Sequence, residues 1–200
     1  MKLLIASRNK DKVEEIKENL KGLNLQIVSA LDFQDLPDVV EDKDTIKENA
    51  IKKALECASF TGLLTIADDT GFFVEQLGGI PGVYAARYAG ENCSYSDNRK
   101  KMLKAMKRKS NRIAEFRTVV AFASPDGLIG ISEGIVHGKV TEKEIGNLGF
   151  GYDPIFRADE TGKTFGEMTK KEKHKISHRG KAIRKIIPIL KRYVTQTSGL

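Results

Sequence analysis

No run of apolar residues in this 200-residue chain approaches the roughly 20 that a membrane-crossing helix needs. The opening Met1-Lys2 leads straight into a short apolar segment, without the h-region or small-residue cleavage site of a signal peptide. Cysteine is scarce. Cys57 and Cys93 stand alone, without metal-ligand spacing, and read as small apolar residues rather than a disulfide or a nucleophile. Repeats of 20–50 residues, low-complexity tracts and Pro/Ser-rich linkers are also missing, which excludes solenoids and strings of tethered modules. The expectation is one cytoplasmic α/β domain over residues 1–200, with no membrane contact.

Apolar residues make up 40% of the chain and charged residues 30%, enough of the first to bury a sizeable core. The net charge of +7 points to anionic partners without choosing among nucleic acid, an acidic surface and a polyphosphate. Its dense stretches, Lys100–Lys109, Lys170–Lys175 and Arg179–Arg192, read on helices as solvated faces.

Lys2–Ala6 is short and apolar, as a strand buried on both faces should be. A helix is expected from Lys10 to Lys21. Val13, Ile16 and Leu20 mark its inner face, Asn9 is the N-cap and Gly22 the terminator. Leu25–Ser29 is a second strand, and the acidic segment Leu36–Lys43 is irregular. Thr45 and Glu48 form a capping box that opens a helix to about Phe60, before Gly62. Leu63–Ala67 reads as a strand, Asp68–Gly71 as a loop at its carboxyl end, and Phe72–Leu77 as another strand. A basic helix follows from Ser96 to Lys109, with Met102, Leu103 and Met106 facing in. Arg112–Ser124 and Leu128–Val140 are long strands joined by the turn Pro125-Asp126-Gly127. A glycine-rich loop, Gly146–Pro154, and a helix over Arg179–Val194 containing Pro188 complete the chain. Alternating strands and helices followed by a hairpin predict a mixed sheet, whose ligands bind beyond the carboxyl ends of the strands.

Four segments carry chemistry-bearing residues, each with a plainer alternative. Ser7-Arg8-Asn9-Lys10-Asp11-Lys12 joins a strand to a helix N-terminus, where free N–H groups, Ser7, Asn9 and Lys12 suit an anion. It also reads as an ordinary capped connection. Asp68-Asp69 puts two carboxylates side by side, an arrangement that suits a hard cation or a proton acceptor. The alternative is a turn in which Gly71 takes positive φ. Glu41 is a further candidate ligand. Gly149–Pro154 combines exposed backbone with Phe150 and Tyr152, to stack on a flat base or to fill the core. Ser177-His178-Arg179-Gly180 offers an imidazole and a guanidinium at a helix start, or merely a polar surface, with Lys173 just upstream.

Jointly these segments resemble one family. Ser7-x-Asn9-x-x-Lys12, Thr45-x-x-Glu48-Asn49-Ala50 with Lys53-Ala54, and Ala67-Asp68-Asp69-Thr70-Gly71 come first. Leu77-Gly78-Gly79-x-Pro81-Gly82-Val83 with Ala86-Arg87-Tyr88, Gly149–Pro154 and Ser177–Ala182 follow in the same order. The chain is similar over nearly its whole length to the inosine triphosphate pyrophosphatases, which cleave non-standard purine nucleoside triphosphates to monophosphate and pyrophosphate. The resemblance implies an elongated mixed sheet flanked by helices, with the active-site cleft between two lobes, and a homodimer. It implies Mg2+ as cofactor, with Glu41, Asp68 and Asp69 as ligands and Asp69 as the general base. The substrate, a nucleoside triphosphate, would meet Ser7, Arg8, Asn9, Lys10, Asp11, Lys12, Lys53 and Thr70 at its phosphates. Phe150, Gly151, Tyr152, Asp153, Lys173, His178 and Arg179 would complete its pocket. Two departures stand out: Arg8 and Asp11 occupy positions where the family commonly has glycine, and Asn147-Leu148 replace small residues. Two other readings remain open: a pyrophosphatase for modified pyrimidine or methylated nucleotides, and a basic nucleic-acid-binding module.

Overall fold

The computed structural model describes residues 1–198. It contains seven strands: β1 (Lys2–Ile5), β2 (Gln26–Ser29), β3 (Leu64–Val74), β4 (Pro81–Gly82), β5 (Ile113–Ser124), β6 (Gly127–Val140) and β7 (Phe156–Ala158). Five α-helices accompany them: α1 (Lys10–Asn19), α2 (Ile46–Thr61), α3 (Tyr95–Ala105), α4 (Lys170–Ile176) and α5 (His178–Ser198). One mixed sheet takes all the strands in the order β2-β1-β3-β5-β6-β7, with β4 on β3. β1 runs parallel to both neighbours, Leu3 opposite Ile27 on one side and Leu64 on the other. β7 and β4 are antiparallel to β6 and β3. The mixed α/β class expected from the sequence is observed.

The chain divides into two compact units. The first comprises residues 1–69, 118–134 and 179 onward, and the second 70–117 and 135–178. In the first unit, Leu3 and Ile5 of β1 pack with Val13, Ile16 and Leu20 of α1. Val120 and Phe122 of β5 and Ile183, Ile186 and Leu190 of α5 complete that core. In the second unit the core is aromatic: Phe72, Phe116, Tyr152, Phe156 and Phe165, with Met102 from α3 and Met106 just past its end.

Three of the expected caps are present, whereas α1 ends at Asn19 on Leu20, two residues short of the expected end before Gly22. Asn9 accepts from Lys12 N at 3.2 Å, Thr45 accepts from Glu48 N at 3.1 Å, and Gly62 closes α2 in the left-handed region at φ 69°. Burial of a stripe with helical spacing explains why α1 and α2 fall where the pattern put them.

The structure differs from the expectations at five further points. β3 is one continuous strand of 11 residues through Asp68–Gly71, where a loop was expected. Gly71 therefore serves close approach rather than a turn: a Cβ there would lie 2.4 Å from the Phe73 ring and 3.2 Å from Gly82 O. Helix α3 starts at Tyr95 on a Ser94/Asp97 capping box and ends at Ala105, four residues early. Arg108 turns the chain at φ 63°, and Arg112 donates to Met106 O at 3.1 Å, capping the helix end. The short helix α4 was not anticipated, although Thr169 and Glu172 form a capping box. The short edge strand β7 was likewise unanticipated; it is specified by pairing with Gly138–Val140. Finally, α5 continues through Pro188 to Ser198 as one helix.

Candidate active site

In the first unit, β1 delivers the chain into the Ser7–Lys12 segment at the start of α1. Ser7 Oγ accepts from Asn9 N at 3.3 Å, and the Asn9 side chain accepts from Lys12 N. This fixes the turn and points the positive end of the helix dipole at the loop. Lys10 is exposed, while Ser7, Asn9, Asp11 and Lys12 are half-buried. Arg8 turns elsewhere. Its Nε donates to Asp38 at 2.7 Å and its Nη1 to Ala30 O at 3.1 Å, so its side chain fastens the segment that leads to Glu41.

Asp68 and Asp69 lie buried in mid-strand, at 1% and 4% exposure. Lys12 from α1 places its ammonium 3.5 Å from Asp68 Oδ2. Lys53 from α2 donates to Glu41 and also interacts electrostatically with Asp68 and Asp69. Burial by itself would push the Asp68 carboxyl up, but Lys12, Arg179 and Lys53 hold it well below the usual carboxylate range. Burial likewise opposes the charge on Glu41, and Lys53 and Lys12 overcome it. Lys53 is itself raised: burial disfavours the ammonium, and Glu41, Asp68 and Asp69 outweigh that. The result is a cluster of carboxylates interleaved with two lysines, in which Asp68 and Asp69 are buried and Glu41 and Lys12 are partly exposed.

Arg179 belongs to this cluster and not to a solvated surface. It is fully buried, donating from Nε to Asp68 Oδ2 at 3.0 Å and from Nη1 to Glu15. Glu15, on α1 beside Ile16, is the functional neighbour that sequence reasoning missed. Its partner lies 164 residues away, and nothing in the local pattern marks it.

Among the described residues, no three His, Cys, Asp or Glu side chains form a group that could hold a metal ion. The donor chemistry nevertheless suits a hard cation. Magnesium is commonly held by one or two carboxylates with substrate phosphates and water completing its shell. Glu41, Asp68 and Asp69 provide such oxygens in one unit.

The second unit holds the other group of expected residues. Gly149 adopts φ 74°, and a Cβ there would fall 2.1 Å from Asp153 Oδ2. That oxygen accepts from Phe150 N at 2.8 Å and from Lys173 Nζ at 2.5 Å. Lys173, the buried residue of α4, also sits 4.5 Å from the centroid of the half-buried Phe150 ring. Tyr152 is core: its hydroxyl donates to Ala85 O at 2.8 Å and its ring lies 4.7 Å from Phe72. Burial pushes the Tyr152 phenol up, with Tyr88 and Cys93 adding to the shift, so it stays neutral. His178 is buried too, stacked on Phe116 at 4.6 Å and 24°. Thr70, half-buried, follows Asp69 on β3. Of the two alternatives for the glycine-rich loop, core filling holds for Tyr152, whereas the Phe150 ring is only half-buried.

The Ham1 family model matches residues 3–189. The chain belongs to the Ham1 family. A dITP/XTP pyrophosphatase of Desulforamulus reducens is 45% identical over 199 residues, covering 98% of this chain and 99% of the relative. One of Geobacter sulfurreducens is 44% identical, covering 91% and 92% of the two chains. Among solved structures, a HAM1 protein from Coxiella burnetii matches with TM-score 0.87 and 34% identity, covering 96% of this chain and 99% of that one. A nucleoside-triphosphatase / dITP/XTP pyrophosphatase from Mycobacterium abscessus matches with TM-score 0.75 and 35% identity, covering 94% of this chain and all of that one. The resemblance carried by the separated motifs is thus borne out over the Ham1-family chain. Among its described residues no helix is long and apolar enough to cross a membrane.

Proposed function

We infer that this protein is a dITP/XTP pyrophosphatase, a hydrolase that cleaves non-standard purine nucleoside triphosphates to the monophosphate and pyrophosphate. Substrate identity follows the relatives that match it nearly end to end. The observation that carries the chemistry is the buried Asp68-Asp69 pair with Lys12 and Lys53 set against it.

In the proposed reaction the phosphate end of the substrate belongs to the first unit. Backbone N–H groups at the start of α1, with Ser7, Asn9 and Lys12, take phosphate oxygens, and Lys10 adds charge at the exposed rim. Lys53 and Lys12 neutralise the negative charge that grows as the α–β phosphoanhydride bond breaks. Asp69 accepts the proton of the attacking water, and Asp68, held ionised by Arg179, keeps the site negative enough to attract a cation. Mg2+ is the proposed cofactor, held by oxygens drawn from Glu41, Asp68 and Asp69; when bound it supplies Lewis-acid stabilisation of phosphate charge. The base end belongs to the second unit, with the Phe150 ring as its stacking face and the Gly151–Asp153 backbone and Lys173 as polar partners. Hypoxanthine and xanthine offer a 6-oxo acceptor where adenine offers an amino donor. A donor aimed at that oxygen is left unpaired by ATP. A homodimer drawing on the cytoplasmic nucleotide pool completes the proposal, with no role for nucleic acid or membrane.

The test is pyrophosphate release from dITP, XTP, ITP, GTP, ATP and dTTP, with magnesium and again with chelator. Metal-dependent release from the first three and little from the others is expected. Equal release from ATP or dTTP, or none from any, would refute the assignment.

A further inference from the structure

Two glycines give the glycine-rich loop its backbone freedom. Gly149 and Gly151 both sit in the left-handed region, at φ 74° and 57°, and glycine leaves its neighbours many alternative backbone states. Asp153 and Lys173 fasten Phe150 from within. The peptide of Gly151 is fastened from outside, by α3. Arg99 donates from Nη1 to Gly151 O at 3.0 Å, and its Nε lies 3.0 Å from Glu144 Oε1. One turn earlier on the same face, the Tyr95 ring lies 5.8 Å from Phe150. Helix α3 is a firm platform for this pair. Ser94 and Asp97 cap it, Met102 and Met106 are buried, and Asn98 donates to Ala86 O at 2.9 Å and accepts from Ala89 N at 2.7 Å.

We propose that Arg99 is a positioning residue for base recognition: it sets the Gly151 peptide, and through it the loop that receives the base, without touching the nucleotide. The guanidinium fork is what allows one side chain to meet a carbonyl and a carboxylate in fixed relative geometry. Exposed Glu144 pairs electrostatically with the half-buried guanidinium, and the Nη1 hydrogen bond to Gly151 O is the contact that holds the loop peptide. The inference rests on the reading of Phe150–Asp153 as the base loop. It adds that α3, which no expected site residue occupies, tunes affinity for the base.

The experiment is steady-state hydrolysis of dITP by Arg99→Leu, Arg99→Lys and Phe150→Ala, with thermal denaturation of each. Loss of a charged donor to Gly151 should raise KM for dITP about three- to tenfold, leaving kcat within about twofold. Arg99→Lys, which can restore one donor, should fall between wild type and Arg99→Leu. A lowered Tm with KM unchanged would make Arg99 merely structural and overturn the proposal, as would a fall in kcat at constant KM. If Arg99→Leu fails to fold, Arg99→Lys decides alone: raised KM at constant kcat supports the proposal, and wild-type KM overturns it. Phe150→Ala separates the two levels. A raised KM there with no effect at Arg99 rejects only the positioning role, whereas no effect at either position rejects the base-loop reading as well.

Discussion

Replacing Arg179 by Met isolates the charge at the centre of the first unit. The guanidinium is fully buried and serves two buried carboxylates, Asp68 and Glu15, at 1% and 8% exposure. Methionine keeps much of the apolar stem and removes both charge-assisted bonds, leaving Lys12, 3.5 Å away, and Lys53 to offset Asp68. Removing one partner of a buried ionic group costs about 3–5 kcal/mol, because the remaining charge is stranded. For a chain of this size each kcal/mol lowers Tm by about 2–4 °C, so a fall of roughly 6–20 °C is expected. Differential scanning calorimetry at pH 7 measures it. Adding Glu15→Gln should then recover part of the loss, since one stranded charge is gone. The acid side gives a second check. Asp68 has its ordinary value of 3.8 lowered in the fold, so its contribution is complete above about pH 4 and lost as pH falls below that. The Tm gap between wild type and Arg179→Met should therefore narrow in acid. A fall below about 2 °C at pH 7, or a double variant no more stable than Arg179→Met, would refute the reasoning.

Asp69→Asn should lower kcat by about 10²- to 10⁴-fold while equilibrium binding of dITP stays within about threefold; retained turnover would remove Asp69 as the base. Gly71→Ala should destabilise by about 1–3 kcal/mol, read by urea denaturation, because its Cβ would enter the space of the Phe73 ring. An unchanged midpoint would show that the strand relaxes at no cost. Arg8→Ala should cost about 1 kcal/mol or less, since the side chain is partly exposed, and leave KM for dITP within about threefold. A large KM rise would return the Arg8 side chain to the phosphates. Chelation by EDTA should stop pyrophosphate release and addition of Mg2+ restore it, followed in the same assay.

Much of this molecule is local and therefore legible. The caps at Asn9, Thr45 and Gly62, the stripe of Val13, Ile16 and Leu20, and the turn at Pro125–Gly127 depend on residues a few positions apart. Short-range hydrogen bonds and periodicity suffice to find them. The capping box at Thr169 and Glu172 was equally local, but the lysine-rich run around it reads first as a charged surface. Asp68–Gly71 misled for the opposite reason: polar and glycine residues signal a turn, yet pairing to neighbouring strands carries β3 straight through them.

The sequence by itself determined the family, the α/β alternation and the identity of the residues that carry charge and aromatic faces, because motifs keep their order along the chain. Only the tertiary structure decided what those residues do for one another. It set Arg179 between Glu15 and Asp68, stacked His178 on Phe116, sent Tyr152 into the core and laid Arg99 against Gly151. Each of these pairings spans tens of residues or more. Burial then makes an unpaired charge too costly to leave alone, so the partner is fixed by packing and electrostatics rather than by spacing.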